Sequence, residues 1–144
     1  MTGICFYFEE SDVDVWSGKD LDAWHYACKA AGDIDKMIVI NKTSQNIQSP
    51  DLALEFYVVK TLEEAMEIMC GIIVQVVCPW DSAEAISLWD YAHSAEWYVF
   101  GPASGWRQQK ISDIQITVPQ AGLGACHSVH IATVVLMNRF GAFN

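Results

Sequence analysis

Basic residues are scarce in this chain: 8 Lys+Arg stand against 18 Asp+Glu in 144 residues, for a formal net charge of -10. Proteins that bind nucleic acid by neutralising phosphates carry the opposite footprint. The average field of this chain therefore repels RNA, and a local basic patch would have to form around Arg107, Lys110 and Arg139. An acidic surface that serves only solubility, in a salty environment, is the alternative.

Other absences narrow the field further. No apolar run approaches the roughly 20 residues of a membrane span, so no membrane partner is expected. The first residues, Met1 to Glu10, lack a basic stretch and turn acidic where a cleavage site would stand. That is unlike a signal peptide, and a cytoplasmic location is expected. There is no CxxC pair and no Cys/His cluster at zinc spacing. The five cysteines, Cys5, Cys28, Cys70, Cys78 and Cys126, are odd in number and each lies in or beside an apolar stretch. They read as buried free thiols in a reducing compartment; a catalytic Cys126, close to His127 and His130, is the alternative. Neither GxGxxG nor a Walker A pattern occurs, which disfavours a Rossmann dehydrogenase and a phosphate cradle at Gly101–Gly105 or Gly122–Gly124. Pro102-Ala103-Ser104-Gly105 comes near a GxSxG nucleophile turn but lacks a matching strand–Ser–helix context. No linker, repeat or low-complexity segment divides the sequence, so residues 1–144 are expected to form one domain.

What is present is a dense apolar pattern, with 52% hydrophobic and 18% charged residues. That composition excludes disorder, and a chain of this length buries about two thirds of its unfolded surface. Ile4 to Phe8, Met37 to Ile40, Leu54 to Val59, Gly71 to Val77, Trp97 to Phe100 and Ile114 to Val118 read as strands. Helices are expected from Ser17 to Ala31, from a capping box at Thr61 through Met69, from Asp81 with Ala85, Leu88, Trp89 and Ala92 on one face, and from Cys126 to Phe140. The last helix should bury a stripe of Val129, Ala132, Thr133, Leu136 and Met137. Alternating strands and helices predict an α/β fold with a mainly parallel sheet flanked by helices. Its ligand should sit beyond the carboxyl ends of the strands, after Val77, Phe100 and Val118.

The order of the last third is more specific. A strand ending in Phe100-Gly101-Pro102 is followed by Ala103-Ser104-Gly105-Trp106, a polar segment expected to be helical, a strand ending in Thr117-Val118-Pro119, a small-residue loop from Gln120 to Ala125, and an apolar helix. This resembles the SpoU-type branch of the SPOUT RNA methyltransferases, in which a strand ending in FGPE..G precedes a strand ending in IP and a helix opening with a Ser..Asn signature. Tyr26 to Gly32 and Lys36 to Asn41 are similar to the family's first motif, so the resemblance spans most of the chain. It implies a C-terminal trefoil knot, a homodimer with the last helix and the Trp106 loop at its seam, and S-adenosyl-L-methionine (AdoMet) as cofactor. Cys78, Gly101, Pro102, Val118, Leu123, Ala125 and Cys126 fall where the family holds AdoMet. Transfer of the methyl group to tRNA or rRNA, at a ribose 2'-oxygen, would be the activity.

The departures from the family fall on side chains rather than on glycines and prolines. The motif-one arginine would stand at Tyr26 and its asparagine at Asp20; Ala103 replaces the acid after Gly-Pro; Ala125, His127 and His130 replace the motif-three serine and asparagines. Substitutes are available. His25 titrates near neutrality and suits a general base, beside Tyr26. His127 and His130, three apart, can share one side of a helix's first turn beside the AdoMet loops. Polar residues that a helix start simply tolerates, or a two-histidine metal site short of a third ligand, are the competing readings. Of the six tryptophans, Trp24 and Trp89 are expected in the core, Trp106 at the cofactor pocket or dimer seam, and Trp16 and Trp80 at the surface. Glu9, Glu10, Asp12 and Asp14 read as a solvated loop. Two functions remain: an AdoMet-dependent RNA methyltransferase, or a catalytically degenerate dimer that keeps the fold as a binding module.

Overall fold

Runs of β-branched and aromatic residues pair into a seven-stranded sheet in which every pairing is parallel. A computed structural model describes residues 2–9, 34–47, 54–78, 84–91, 94–102, 105–107, 109–118 and 128–139. Its strands are β1 (Thr2–Phe8), β2 (Ile34–Asn41), β3 (Glu55–Val59), β4 (Ile73–Val76), β5 (Ile86–Ser87), β6 (Trp97–Phe100) and β7 (Ile114–Thr117). Two α-helices are described, α1 (Leu62–Ile68) and α2 (Ser128–Arg139). Across the sheet the order is β3-β2-β1-β6-β4-β7-β5. The α/β class and the parallel sheet are as the sequence predicts. The expected helix over 17–31 and the loop 119–127, on whose path a knot depends, lie outside the described residues.

Alternation along the strands divides the core in two, because successive side chains leave a strand on opposite faces. Ile4, Phe6, Phe8, Val74, Val76, Tyr98, Phe100 and Ile116 form one layer with Ala132, Val135 and Leu136 of α2. Cys5, Ile38, Ile40, Val99 and Trp97 form the other with Leu62 and Ala65 of α1. Strands covered on both faces are mostly apolar, which explains the near-continuous runs. Gly3 has no side chain for a packing reason: a Cβ there would stand 2.6 Å from the Trp97 ring.

Local chemistry starts and stops these elements. Thr61 Oγ1 accepts the Glu64 N–H at 3.1 Å and donates to the Glu64 carboxylate at 3.2 Å, capping α1 as its sequence predicts. Gly71 turns the chain into β4 with φ +89°, in the left-handed region that favours glycine.

Three expectations are corrected. Within 84–91 there is no α-helix: Ile86 and Ser87 pair with Ile116 and Thr117 at the sheet edge, and Leu88–Asp90 makes one 3-10 turn. Leu88 is buried but Trp89 is 50% exposed, so it is not a core residue. Pairing with β7 outweighs the helical spacing, as tertiary contacts routinely outweigh local propensity. On α2, Ala132, Val135 and Leu136 are buried while Met137 is 40% exposed, so the buried stripe includes Val135 and excludes Met137. Finally, the thiols are not uniformly buried: Cys5 is, Cys78 is half-buried and Cys70 is exposed, and none of the three is in a disulfide. Burial pushes the Cys5 thiol well above its ordinary value, leaving it inert.

Candidate functional site: a cleft at the strand ends

A parallel sheet sends all its strands out at one side, and the crevice lies where strand order reverses direction. Here β1 to β3 step outward to one edge, while β4 neighbours β7 and β5 toward the other, with β6 between β1 and β4. Beyond the ends of β4 and β6 lies a cleft open to solvent. Val76, Val77 and Cys78 form one wall and Phe100, Gly101 and Pro102 another. Gly105 and Trp106 close one side, and Ile131 from the first turn of α2 closes the opposite side.

Trp106 is the anchor of this arrangement. Its side chain is 4% exposed, and its indole Nε1–H donates to the Val76 carbonyl at 2.8 Å. Tyr7, at the end of β1, meets the indole edge-on, with ring centroids 6.1 Å apart and planes at 80°. Gly101 must be a glycine here, since a Cβ would stand 2.7 Å from Trp106 Nε1. The turn that carries the indole is tight. Gly105 N–H donates to the Pro102 carbonyl at 2.9 Å, Gln109 N–H to the Trp106 carbonyl at 3.0 Å, and Gly105 has φ +80°. Arg107 adopts φ 52°, a left-handed conformation that costs a non-glycine residue about 1–3 kcal/mol and that clusters at functional sites.

The lining is apolar, apart from the Cys78 thiol, the Trp106 indole N–H and main-chain groups. Among the described residues the lining holds no carboxylate, amine or imidazole. No group of three or more His, Cys, Asp and Glu gathers for a metal among the described residues.

Cys78, Gly101 and Pro102 come together in the cleft, as the sequence resemblance implies. Val118 lies in the core layer under α2 rather than in the cleft lining. His25, Tyr26, Leu123, Ala125, Cys126 and His127 are outside the described residues. Trp106, expected at the pocket or at a dimer seam, lines the cleft; Ile131, which the sequence did not point to, stands four residues before Val135 on the helix face turned toward the sheet. The polar segment after Trp106 is not helical: residues 109–112 are irregular and lie against β4. Two of the three residues of the expected basic patch have partners. Lys110 pairs with Asp113 at 3.3 Å, while Arg139, two turns beyond Ile131, donates to Tyr98 Oη at 3.3 Å and stacks over its ring at 5.8 Å.

An open parallel sheet with helices packed on it and a cleft at its carboxyl side defines an α/β domain. No protein-family model matches the chain, and no curated protein matches it. Solved structures share its fold, two of them as follows. One comes from work on the 2-OH methylation of C/U34 on tRNA: 97% of this chain aligns with 94% of that one, at 15% identity and a TM-score of 0.64. The other is the A. aeolicus TrmH/SpoU tRNA modifying enzyme, where 96% of this chain aligns with 73% of that one, at 14% identity and a TM-score of 0.68. At these identities the likeness is one of fold. The chain has the SPOUT-like architecture that its sequence resembles.

Two predictions follow from the anchor and its neighbour. Trp106→Phe leaves the buried Val76 carbonyl without its donor, and urea denaturation should show a loss of about 1–3 kcal/mol. Tyr7 is pushed up to about 12 from an ordinary 10.0, first by burial and then by Cys5, Glu63 and Glu9. Tyr98 is also pushed up to about 12 by burial, against the opposing effect of Arg139. Above the unfolded value the unfolded chain releases phenolic protons that the folded chain keeps, so these groups make stability fall as pH rises from about 10 to about 12. Denaturation at about pH 9 and about pH 11 should show a smaller drop for Tyr7→Phe than for the wild type.

Proposed function

We propose that the cleft binds AdoMet and that the chain is a homodimeric SPOUT-type methyltransferase acting on RNA, with a ribose 2'-oxygen of tRNA or rRNA as acceptor. The observation that carries this reading is the lining of the cleft. Its walls are apolar, its polar groups are mainly main-chain, and it opens at the ends of β4 and β6 in a fold shared with tRNA-modifying proteins. Such a lining suits a flat heterocycle, which needs dispersion contact on its faces and a few hydrogen bonds at its edge. Val76, Phe100, Pro102 and Ile131 would pack against the ring, and backbone groups at Val77, Cys78 and Gly101 would meet its polar edge. Bound AdoMet would supply an electrophilic methyl group. His25 or His127 would take the proton of the acceptor hydroxyl, with Tyr26 orienting it, since no base is found in the described lining. Holding cofactor and acceptor in line would supply most of the acceleration.

A second reading has an observation of its own. A net charge of -10, with Lys110 and Arg139 already engaged, favours a fold that keeps the nucleoside cleft as a binding module and has lost transfer. Isothermal titration calorimetry with AdoMet and S-adenosylhomocysteine separates cofactor competence from its loss. Binding near about 1 μM, worth about 8 kcal/mol, is expected. A folded chain that gives no binding heat with either ligand contradicts the proposal and leaves the module.

A further inference from the structure

Strand β4 carries a polar side chain in the middle of the sheet. Gln75 is 0% exposed, between β6 on one side and β7 on the other. A buried amide is costly unless its donor and acceptor are both met. Both are met, largely by one stretch of irregular chain. Gln75 Nε2 donates to the Gln109 carbonyl at 2.7 Å, and Oε1 accepts the Ile111 N–H at 2.9 Å. Oε1 also accepts from Gln115 Nε2 at 2.9 Å.

These bonds close a ring. From Gln75 the path runs to the Gln109 carbonyl, from Gln109 N–H to the Trp106 carbonyl, and from the Trp106 indole to the carbonyl of Val76, next to Gln75 in β4. Ser112 Oγ donates to the Ile73 carbonyl and accepts the Ile114 N–H at 3.1 Å, fastening the far end. Trp106 and residues 109–112 therefore lie back along β4, with Trp106 at Val76, Gln109 and Ile111 at Gln75, and Ser112 at Ile73. The amide grips two points of the segment at once, which sets its register. An isolated Trp106–Val76 bond would leave the turn free to pivot about the indole.

We propose that Gln75, which does not line the cleft, is the positioning residue that holds Trp106 as its wall and so sets the cleft's shape for its ligand. Its effect on AdoMet affinity rests on the function proposed above; its effect on Trp106 does not. An apolar side chain of similar volume at position 75 would keep the packing and release the segment, and a preorganised wall would become one that must be ordered on binding.

The test uses the full chain labelled with 5-fluorotryptophan, with the Trp106 fluorine resonance assigned through Trp106→Phe. In Gln75→Met that resonance should shift and broaden, and AdoMet should bind about tenfold more weakly. Gln115→Met removes the bond from Gln115 but spares those to Gln109 and Ile111, so its Trp106 resonance should stay at the wild-type position. A folded Gln75→Met chain with the wild-type Trp106 position and linewidth overturns the proposal. Hydrogen exchange of the wild-type chain provides a check that needs no variant: the Ile111 amide should be protected, and exchange at the rate of free coil also overturns it. Should the wild type fail to bind AdoMet, the cofactor reading falls, while the Trp106 resonance still decides for or against Gln75.

Discussion

The bond from the Trp106 indole to the Val76 carbonyl, 2.8 Å long, joins the two halves of the site. Val76 ends β4 and Trp106 belongs to the turn after β6, so this bond fixes that turn against the end of β4, while the β4–β6 pairing sets the spacing of the strand ends. Much else follows from accommodating it. Gly101 has no side chain because the indole occupies that space, and Gly105 takes a positive φ so that the chain can double back. Tyr7 packs edge-on against the ring, and Gln75 restrains the segment that follows. A wall held in this way before anything binds would lower the ordering cost of binding.

The sheet supplies the rest. Parallel pairing throughout brings the ends of β4, β6 and β7 to one side, and covering both faces excludes water from the base of the cleft. α2 contributes twice, packing Ala132, Val135 and Leu136 on the sheet and placing Ile131 at the cleft. Acidic surface and apolar cleft are then separate features. The charge belongs to the whole molecule, while the described cleft offers shape and main-chain groups.

Much of this was legible in the residues. Runs such as Met37 to Ile40 and Trp97 to Phe100 carry too little polarity to be anything but covered strands, and Thr61 marks the start of α1 by its reach to Glu64. Cys78, Gly101 and Pro102 could be placed in the cleft because a parallel sheet leaves little choice of side. What could not be seen depends on partners distant in sequence. The segment after Trp106 has the composition of a polar helix, but Gln75, more than thirty residues earlier, takes its backbone groups. Ala85, Leu88 and Trp89 have helical spacing, yet β7 offers an open edge that Ile86 and Ser87 fill. The phase of α2 differs from the expected stripe because packing on the sheet selects Val135 over Met137.

The central claim is that the ends of β4 and β6, with Trp106 between them, form the binding site for AdoMet. A titration of the isotope-labelled chain with S-adenosylhomocysteine, followed by amide and indole chemical shifts, tests it most directly. The largest changes should fall on Val77, Cys78, Gly101, Gly105 and the Trp106 indole N–H. Saturable changes elsewhere that leave these resonances unmoved, or no change at all, would contradict it.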